Sequence, residues 1–143
     1  MEGSYSHETD YSNRTLRHHK FAMAGMSFAQ EHVIQATVPF DFTVGNKLLP
    51  AGTYMITPGS TNVIVVRNHD KPISALVMTV PDGKESKYGK LVFNRYGDQY
   101  FLSEILCQSA AMNLELHPSK QEKRVQMQQA QLSAGSQIFV AIR

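Results

Sequence analysis

The chain has 143 residues, of which 42% are hydrophobic and 18% charged, with one Cys, no Trp and a formal charge of +2. That length is about one domain. A single Cys excludes an internal disulfide framework and a Cys-based zinc or iron–sulfur site within one chain, and the near-neutral balance argues against a dedicated nucleic-acid binder. No apolar run approaches the ~18 residues that would span a bilayer, yet there is enough apolar content to build a core rather than a disordered chain.

Residues 1–13 are polar and without period. A basic stretch follows, with Arg14, Arg17, His18, His19 and Lys20, and then a short apolar run from Phe21 to Ala29. Ser27 and Ala29 place small residues at the −3 and −1 positions of a cleavage site before Gln30. Basic region, apolar region and small-x-small site, in that order, read as a secretory signal. The apolar run is short, and the acidic leader with Glu2, Glu8 and Asp10 is unusual for such a signal. The competing reading is an N-terminal tail with an accidental pattern. Residues 1–29 are therefore assigned as leader and 30–143 as one β-domain, exported to the periplasm or the outside. Trimming leaves the charge balance unchanged, because Arg14, Arg17 and Lys20 offset Glu2, Glu8 and Asp10.

Val33–Val38 is largely β-branched and ends at Pro39, which predicts an edge strand or one with a bulge. Phe40 to Val44 alternates with period two, predicting Phe40, Phe42 and Val44 toward a core and Asp41 and Thr43 toward water. Gly45-Asn46-Lys47 and Leu49-Pro50-Ala51-Gly52 are turns, the latter with type I chemistry. Thr53–Thr57 is a strand stopped by Pro58-Gly59-Ser60. Asn62–Arg67 carries four consecutive β-branched apolar residues, Val63 to Val66, which predicts a strand covered on both faces. Ile73–Val80 is another strand, and 81–88 a polar loop.

Lys90–Tyr96 and Gln99–Leu106 flank Gly97-Asp98, the signature of a type II′ hairpin. The register that follows opposes Tyr96 to Gln99, Arg95 to Tyr100, Phe93 to Leu102 and Leu91 to Glu104. Both faces are mixed, so the hairpin should lie between a core and a second layer. Ser119 to about Leu132 is the one helix, with Ser119 and Glu122 as a capping box after Pro118. Its apolar content is thin (Val125, Met127, Ala130, Leu132), which suits a helix lying on a surface or over a sheet edge. Gly135 ends it, and Gln137–Ile142 reads as a last strand.

The segments VIQATVPFDFTVGNKLLPAGTY (33–54), SALVMT (74–79) and GKLVFNRYGDQYFLSEI (89–105) resemble a family of small exported bacterial β-proteins. The resemblance implies a signal peptide, a small antiparallel β-domain and a C-terminal helix rich in Lys, Glu and Gln. No activity is attached to the family, so it implies no catalytic residue. This chain departs from the pattern in its longer leader before Arg14 and in the strand-like tail after Leu132.

Chemistry-bearing residues do not form a set. His7, His18, His19, His32, His69 and His117 are scattered without ligand spacing, whereas a metal needs three or four convergent donors. Asp41 is the polar member of an alternating strand and Asp98 a turn residue. Glu104 shares a predicted hairpin face with Leu102 and Leu91; it is read as an exposed strand end, with an ion pair to Arg95 or Lys90 as the sharper alternative. Ser103 lies mid-strand with no nucleophile elbow around it. Cys107, without a basic neighbour in sequence, is read as a small hydrophobe or, in an exported protein, as the origin of an intermolecular disulfide. Lys84, Lys87 and Lys90, and Lys120, Lys123 and Arg124, are interleaved with Glu85 and Glu122 as solvated faces. Tyr88, Phe93, Tyr96, Tyr100 and Phe101 gather on one hairpin, where packing is the simple reading and a stacking platform would need several of them exposed together. Arg95 opposite Tyr100 suggests a cation–π pair.

The sequence thus predicts an all-β domain of about seven antiparallel strands, a sandwich or small open barrel, with one C-terminal helix at 119–132. Its expected role is non-enzymatic, exported to the envelope and exercised through surface contacts with a protein or envelope component. Nucleic acid, an integral membrane span, metals and cofactors are not expected. The alternative is a carrier holding an apolar ligand inside the barrel, and a homo-oligomer through an edge strand is a further expectation. An enzyme ranks third and would need Asp41, Glu104 and a His to converge.

Overall fold

The computed structural model describes residues 33–84, 86–108, 113–132 and 135–143. The leader at 1–29, the cleavage site before Gln30, and His7, His18, His19 and His32 lie outside the described residues. In chain order the elements are β1 (Ile34–Val38), β2 (Phe42–Val44), β3 (Lys47–Leu49), β4 (Gly52–Ser60), β5 (Val63–Asn68), β6 (Ser74–Pro81), β7 (Lys90–Tyr96), β8 (Gln99–Leu106), β9 (Leu114–Leu116), α1 (Lys120–Gln129) and β10 (Ser136–Ala141). The domain is all-β with a single C-terminal helix, but ten strands are present where about seven were expected. The added ones are short: β3, whose residues read as turns, and β9, whose three residues are too few for a periodic signal.

Strand pairing closes on itself. β1 pairs β4, β4 pairs β5, β5 pairs β6, β6 pairs β9, β9 pairs β8, β8 pairs β7 and β7 pairs β10, all antiparallel. An Ala36–Ile142 bridge and a hydrogen bond from the Arg143 N–H to the Gln35 carbonyl (2.9 Å) return the end of β10 to β1. The sheet is mixed because β2 meets β8 in parallel at Thr43–Phe101. β9 occupies the far end of that same β8 edge, so the β2–β3 hairpin is an inset filling the gap that short β9 leaves.

Inward positions follow the strand alternation. Ile34, Ala36 and Val38 of β1, Tyr54 and Ile56 of β4, and Ile64 and Val66 of β5 are buried, each separated by an outward residue. At the centre the Phe42 ring meets Tyr54 and Phe93 edge-on, with centroids 5.0 and 5.3 Å apart, and Phe40 meets Phe93 edge-on and stacks on Tyr100. The edge-on spacings are those that aromatic quadrupoles favour. Side chains from opposite walls therefore touch across the ring interior.

Four local expectations are corrected. β1 is not an edge: its second side is taken by the C-terminal residues, and Pro39 lies just past it, where no ladder donor is needed. Thr43 is buried rather than wet, because β2 is inset beside Phe101, which packs with Tyr96 and Val125 of α1. Pro58 does not stop β4; it lies beyond the last β1 pair, Ile34–Ile56, on the β4 edge that faces β1, and a bulge between Pro58 and Ser60 absorbs the kink. In the hairpin, Gly97 takes the expected positive φ (60°) and the first pairs match. A bulge between Val92 and Phe93 then shifts the register, so that Leu91 faces Ile105 and Val92 faces Glu104. The buried Ser103 hydroxyl donates to the Val92 carbonyl (3.0 Å) at that bulge. This one-residue slip moves Ile105 into the core and Glu104 out of it.

α1 is shorter than expected. Ser119 caps it, its hydroxyl accepting the Glu122 N–H (3.1 Å), but it ends at Gln129, before Gly135. Val125 is its apolar contact with the sheet, while Met127 and Leu132 are exposed. Buried Glu122 docks it instead: Asn94 Nδ2 donates to Oε1 at 3.0 Å and the Tyr96 hydroxyl at 3.4 Å.

Candidate functional site

β6 changes partner along its length, and that exposes an edge. The Thr79 N–H donates to the Asn62 carbonyl and Ile73 accepts from the Asn68 N–H, so the odd-numbered residues of β6 turn their backbone groups toward β5. Even-numbered residues turn the other way. Val80 pairs with Glu115 of β9, and Asp82 donates to the Asn113 carbonyl just beyond. Ser74 and Leu76 face the same way but lie below the reach of β9, and Met78 lies at its end, next to the Thr79–Leu116 pair.

Across from them stands β3. The two-residue turn Gly45-Asn46 makes Val44–Lys47 its closing pair, so Leu48 turns its backbone groups away from β2. The two edges do not pair. They are linked by Lys47 Nζ, which donates to the Ser74 carbonyl at 2.7 Å. Between them is a groove of about 420 Å³, floored by Val44, Ala75 and Val77 and walled by Lys47, Leu76 and Met78.

The outer rim of this seam is apolar. Leu48 is 67% exposed, Leu76 73% and Met78 72%. Val63 and Val65 of β5, half-buried, stand opposite Met78 and Leu76. The predicted covering of both faces of Val63–Val66 is therefore corrected: Ile64 and Val66 fill the core, but the outward pair lies on an open face among the described residues. A contiguous exposed apolar patch is uncommon on a protein that works alone, and it marks an interaction surface. Sequence reasoning missed the seam, although a signal was there: the outward positions of β5 and β6 carry Val, Leu and Met where a wet face carries polar residues.

Two further grooves lie elsewhere. One of about 510 Å³ runs between α1 and the β7–β10 edge, lined by Asn94, Tyr96, Gln126, Gln129, Ser136 and Gln137. Burial, then the Glu122 charge, pushes the Tyr96 phenol above its ordinary value. The other, about 500 Å³, lies outside β7–β8 and holds Lys84, Lys90, Glu104 and Phe139. Here Lys84 Nζ bonds Glu104 Oε1 at 2.8 Å and sits 3.6 Å from buried Asp82. The hydrogen bond to Glu104 raises the Lys84 ammonium above its usual value. Glu104 and Glu115 face each other across β8 and β9, so Lys84 also offsets a like-charge pair.

The residues weighed from sequence do not converge on a catalytic set. Asp41 accepts the Ala51 N–H at 2.8 Å and fixes the loop before β4. Asp98 is exposed in the hairpin turn. Glu104 pairs with Lys84, not with Arg95 or Lys90: the bulge turned it outward, and the 81–88 loop brings the lysine. Arg95 does lie over the Tyr100 ring (5.6 Å), while Lys90 lies over Phe139 (4.4 Å). His69 contacts exposed Asp70 beside it (2.8 Å), and His117 is exposed. Among the described residues no group of three or more His, Cys, Asp or Glu could hold a metal ion. Cys107 is half-buried, and burial pushes its thiol up, away from the reactive thiolate. Of the hairpin aromatics, Phe93, Tyr96 and Phe101 are buried, Tyr100 is half-buried under Phe40, and Tyr88 is exposed. They pack rather than form a platform. Among the described residues no helix is long and apolar enough to cross a membrane. No family model, curated protein or solved structure matches the chain.

Proposed function

We propose that this domain is a non-enzymatic binding module of the cell envelope, and that it works by taking an extended segment of a partner into the seam between β3 and β6. One observation carries the reading: the backbone groups of Leu76 turn away from β5 below the reach of β9, beside the groove that separates β6 from the β2–β3 turn, and the Leu76 and Met78 side chains there are exposed. Strand addition uses these two features, main-chain hydrogen bonds for affinity and alternate side-chain contacts for selectivity. The aromatic contacts across the ring interior weigh against the carrier alternative, whose ligand would need that space. Export rests on the order of basic, apolar and small residues ahead of Gln30.

The protein recovered from fractionated cells tests both parts. N-terminal sequencing should give a chain starting at Gln30 from an exported fraction; an intact leader in the cytoplasmic fraction would overturn export. Amide hydrogen exchange on that material should show fast exchange at Leu76 and Met78, slowed on adding an octapeptide of alternating valine and threonine. Unchanged exchange with the peptide in excess would overturn the binding site.

A further inference from the structure

The Lys47 ammonium stands at one end of the open edge of β6. It donates to the Ser74 carbonyl, so it fills one acceptor that a docking strand would otherwise use. The Leu76 backbone groups beyond it stay uncovered by β5 and by β9. An ammonium has three donors. One goes to Ser74, and among the described residues no carboxylate pairs with Lys47. Of the described residues that line the groove, Lys47 is also the one that carries a charge. The site is therefore a short strand edge with a single cation at its Ser74 end, and its complement is a strand with an anion at the matching end.

Direction decides which end that is. β5 and β9 both run antiparallel to β6, and β6 runs from Ser74 to Pro81. A strand laid antiparallel on the open edge thus has its C-terminal end toward Ser74. A chain that continues past Ser74 has to lift Lys47 off the carbonyl, whereas a chain that stops opposite Leu76 leaves that bond in place. Its terminal carboxylate takes the position of a ladder carbonyl and accepts the Leu76 N–H. Ser74 is then about 7 Å further along the strand, two residues of rise. The flexible four-carbon stem of Lys47 closes that gap, with the donors that Ser74 leaves over.

We propose that the seam recognises the C-terminus of its partner: an antiparallel strand that ends opposite Leu76, its terminal carboxylate held by the Leu76 N–H and the Lys47 ammonium. The proposal rests on the reading of the seam as a strand-accepting site and adds which end of the partner enters it. Main-chain pairing alone accepts any extended segment. A carboxylate required at one fixed place selects chain ends, because charge-assisted hydrogen bonds are much stronger than neutral ones. Capture of a terminal carboxylate is itself a recurring mode of peptide recognition. The competing account makes Lys47 a guard that keeps other chains off an open edge, and it predicts tighter peptide binding when the lysine is removed.

The test uses the full chain and an N-acetylated valine–threonine octapeptide in two forms, one with a free C-terminal carboxylate and one with a C-terminal amide. Each is titrated against hydrogen exchange at the Leu76 amide. In the wild type the free acid should bind at least about tenfold more tightly than the amide, and added salt should narrow the difference. Lys47→Met keeps the stem and removes the charge; it should weaken the acid until the two forms bind alike, while Lys47→Arg should keep the preference. Lys47 is exposed, so neither change should move the denaturant midpoint. If acid and amide protect the wild type equally, the proposal falls, yet the seam still accepts strands. It falls too if Lys47→Met tightens both forms, which makes the lysine a guard. An amidated octapeptide with one internal glutamate that matches the free acid would overturn the choice of a chain end. If neither form slows exchange, the seam reading falls as well.

Discussion

The two sides of the ring answer the same sequence pattern differently. Both the β7–β8 hairpin and the β5–β6 pair carry apolar residues on both faces of their strands. On the hairpin side the outward residues are covered: Val92 is 1% and Phe101 2% exposed, with Tyr96, Phe101 and Val125 of α1 packing together. On the β5–β6 side Val63 and Val65 are half-buried, and Leu76 and Met78 are almost bare. A strand apolar on both faces thus states a demand for cover, but the strand itself does not say what supplies it. Where the chain supplies the cover, the strands are structural; where it does not, the face is available for binding.

The largest expected effect tests how far the covered side holds the molecule together. Phe93 is fully buried and touches both Phe40 and Phe42. Phe93→Ala should lower unfolding free energy by about 3–5 kcal/mol, read from the denaturant midpoint. A sharper comparison changes one residue type on each outer face. Val92→Ala should cost about 2 kcal/mol, since two buried methyl groups and their contacts are lost. Val65→Ala, half-exposed, should cost less than about 1 kcal/mol. Equal costs would show that the β5 face is covered after all.

The helix that covers the hairpin gives a pH signature. Burial raises the Tyr96 phenol, with the Glu122 charge adding to it; burial also raises Tyr54, partly offset by its hydrogen bond to Asn68. Both rings therefore stay neutral in the folded chain at a pH where the unfolded chain already ionises. The stability they contribute is complete below the ordinary value of 10.0 and is lost as pH rises through their higher folded values. Urea midpoints measured from about pH 8 to about pH 11 should fall, and Tyr96→Phe should flatten part of that fall. At the other end of the same contact, Ser119→Ala should cost about 1 kcal/mol by freeing the Glu122 N–H from its cap.

Much of this was legible in the sequence where local chemistry decides. Gly97-Asp98 and its flanking alternation located the hairpin, Ser119 and Glu122 located the start of α1, and period two located the inward residues of β1 and β4. What failed depended on partners distant in sequence. The bulge that turned Glu104 outward is stabilised across the hairpin by Ser103 and Val92, and the lysine that meets Glu104 arrives from a loop twenty residues away. The seam was illegible for the same reason: it exists only because β9 is too short to pair all of β6, a fact of topology rather than of any residue pattern.

The smallest expected effect on stability carries the most information about function. Leu76 and Met78 project outward, so replacing both with lysine removes no core contact, and stability should change by no more than about 0.5 kcal/mol. Their backbone edge stays intact, yet two charges now flank it, which is how natural edge strands are kept from pairing. In the leaderless protein the octapeptide should then fail to slow exchange at residues 76 and 78, although the fold is unperturbed. The same double change at Met55 and Thr57, on β4 of that outer face but away from the seam, should leave peptide protection in place. If both double variants bind alike, general adhesion to the open face explains the binding and strand pairing at the seam does not. If the first alone fails, the difference between the two sides of the ring comes down to one unpaired edge of five residues, 74–78, and the side chains that flank it.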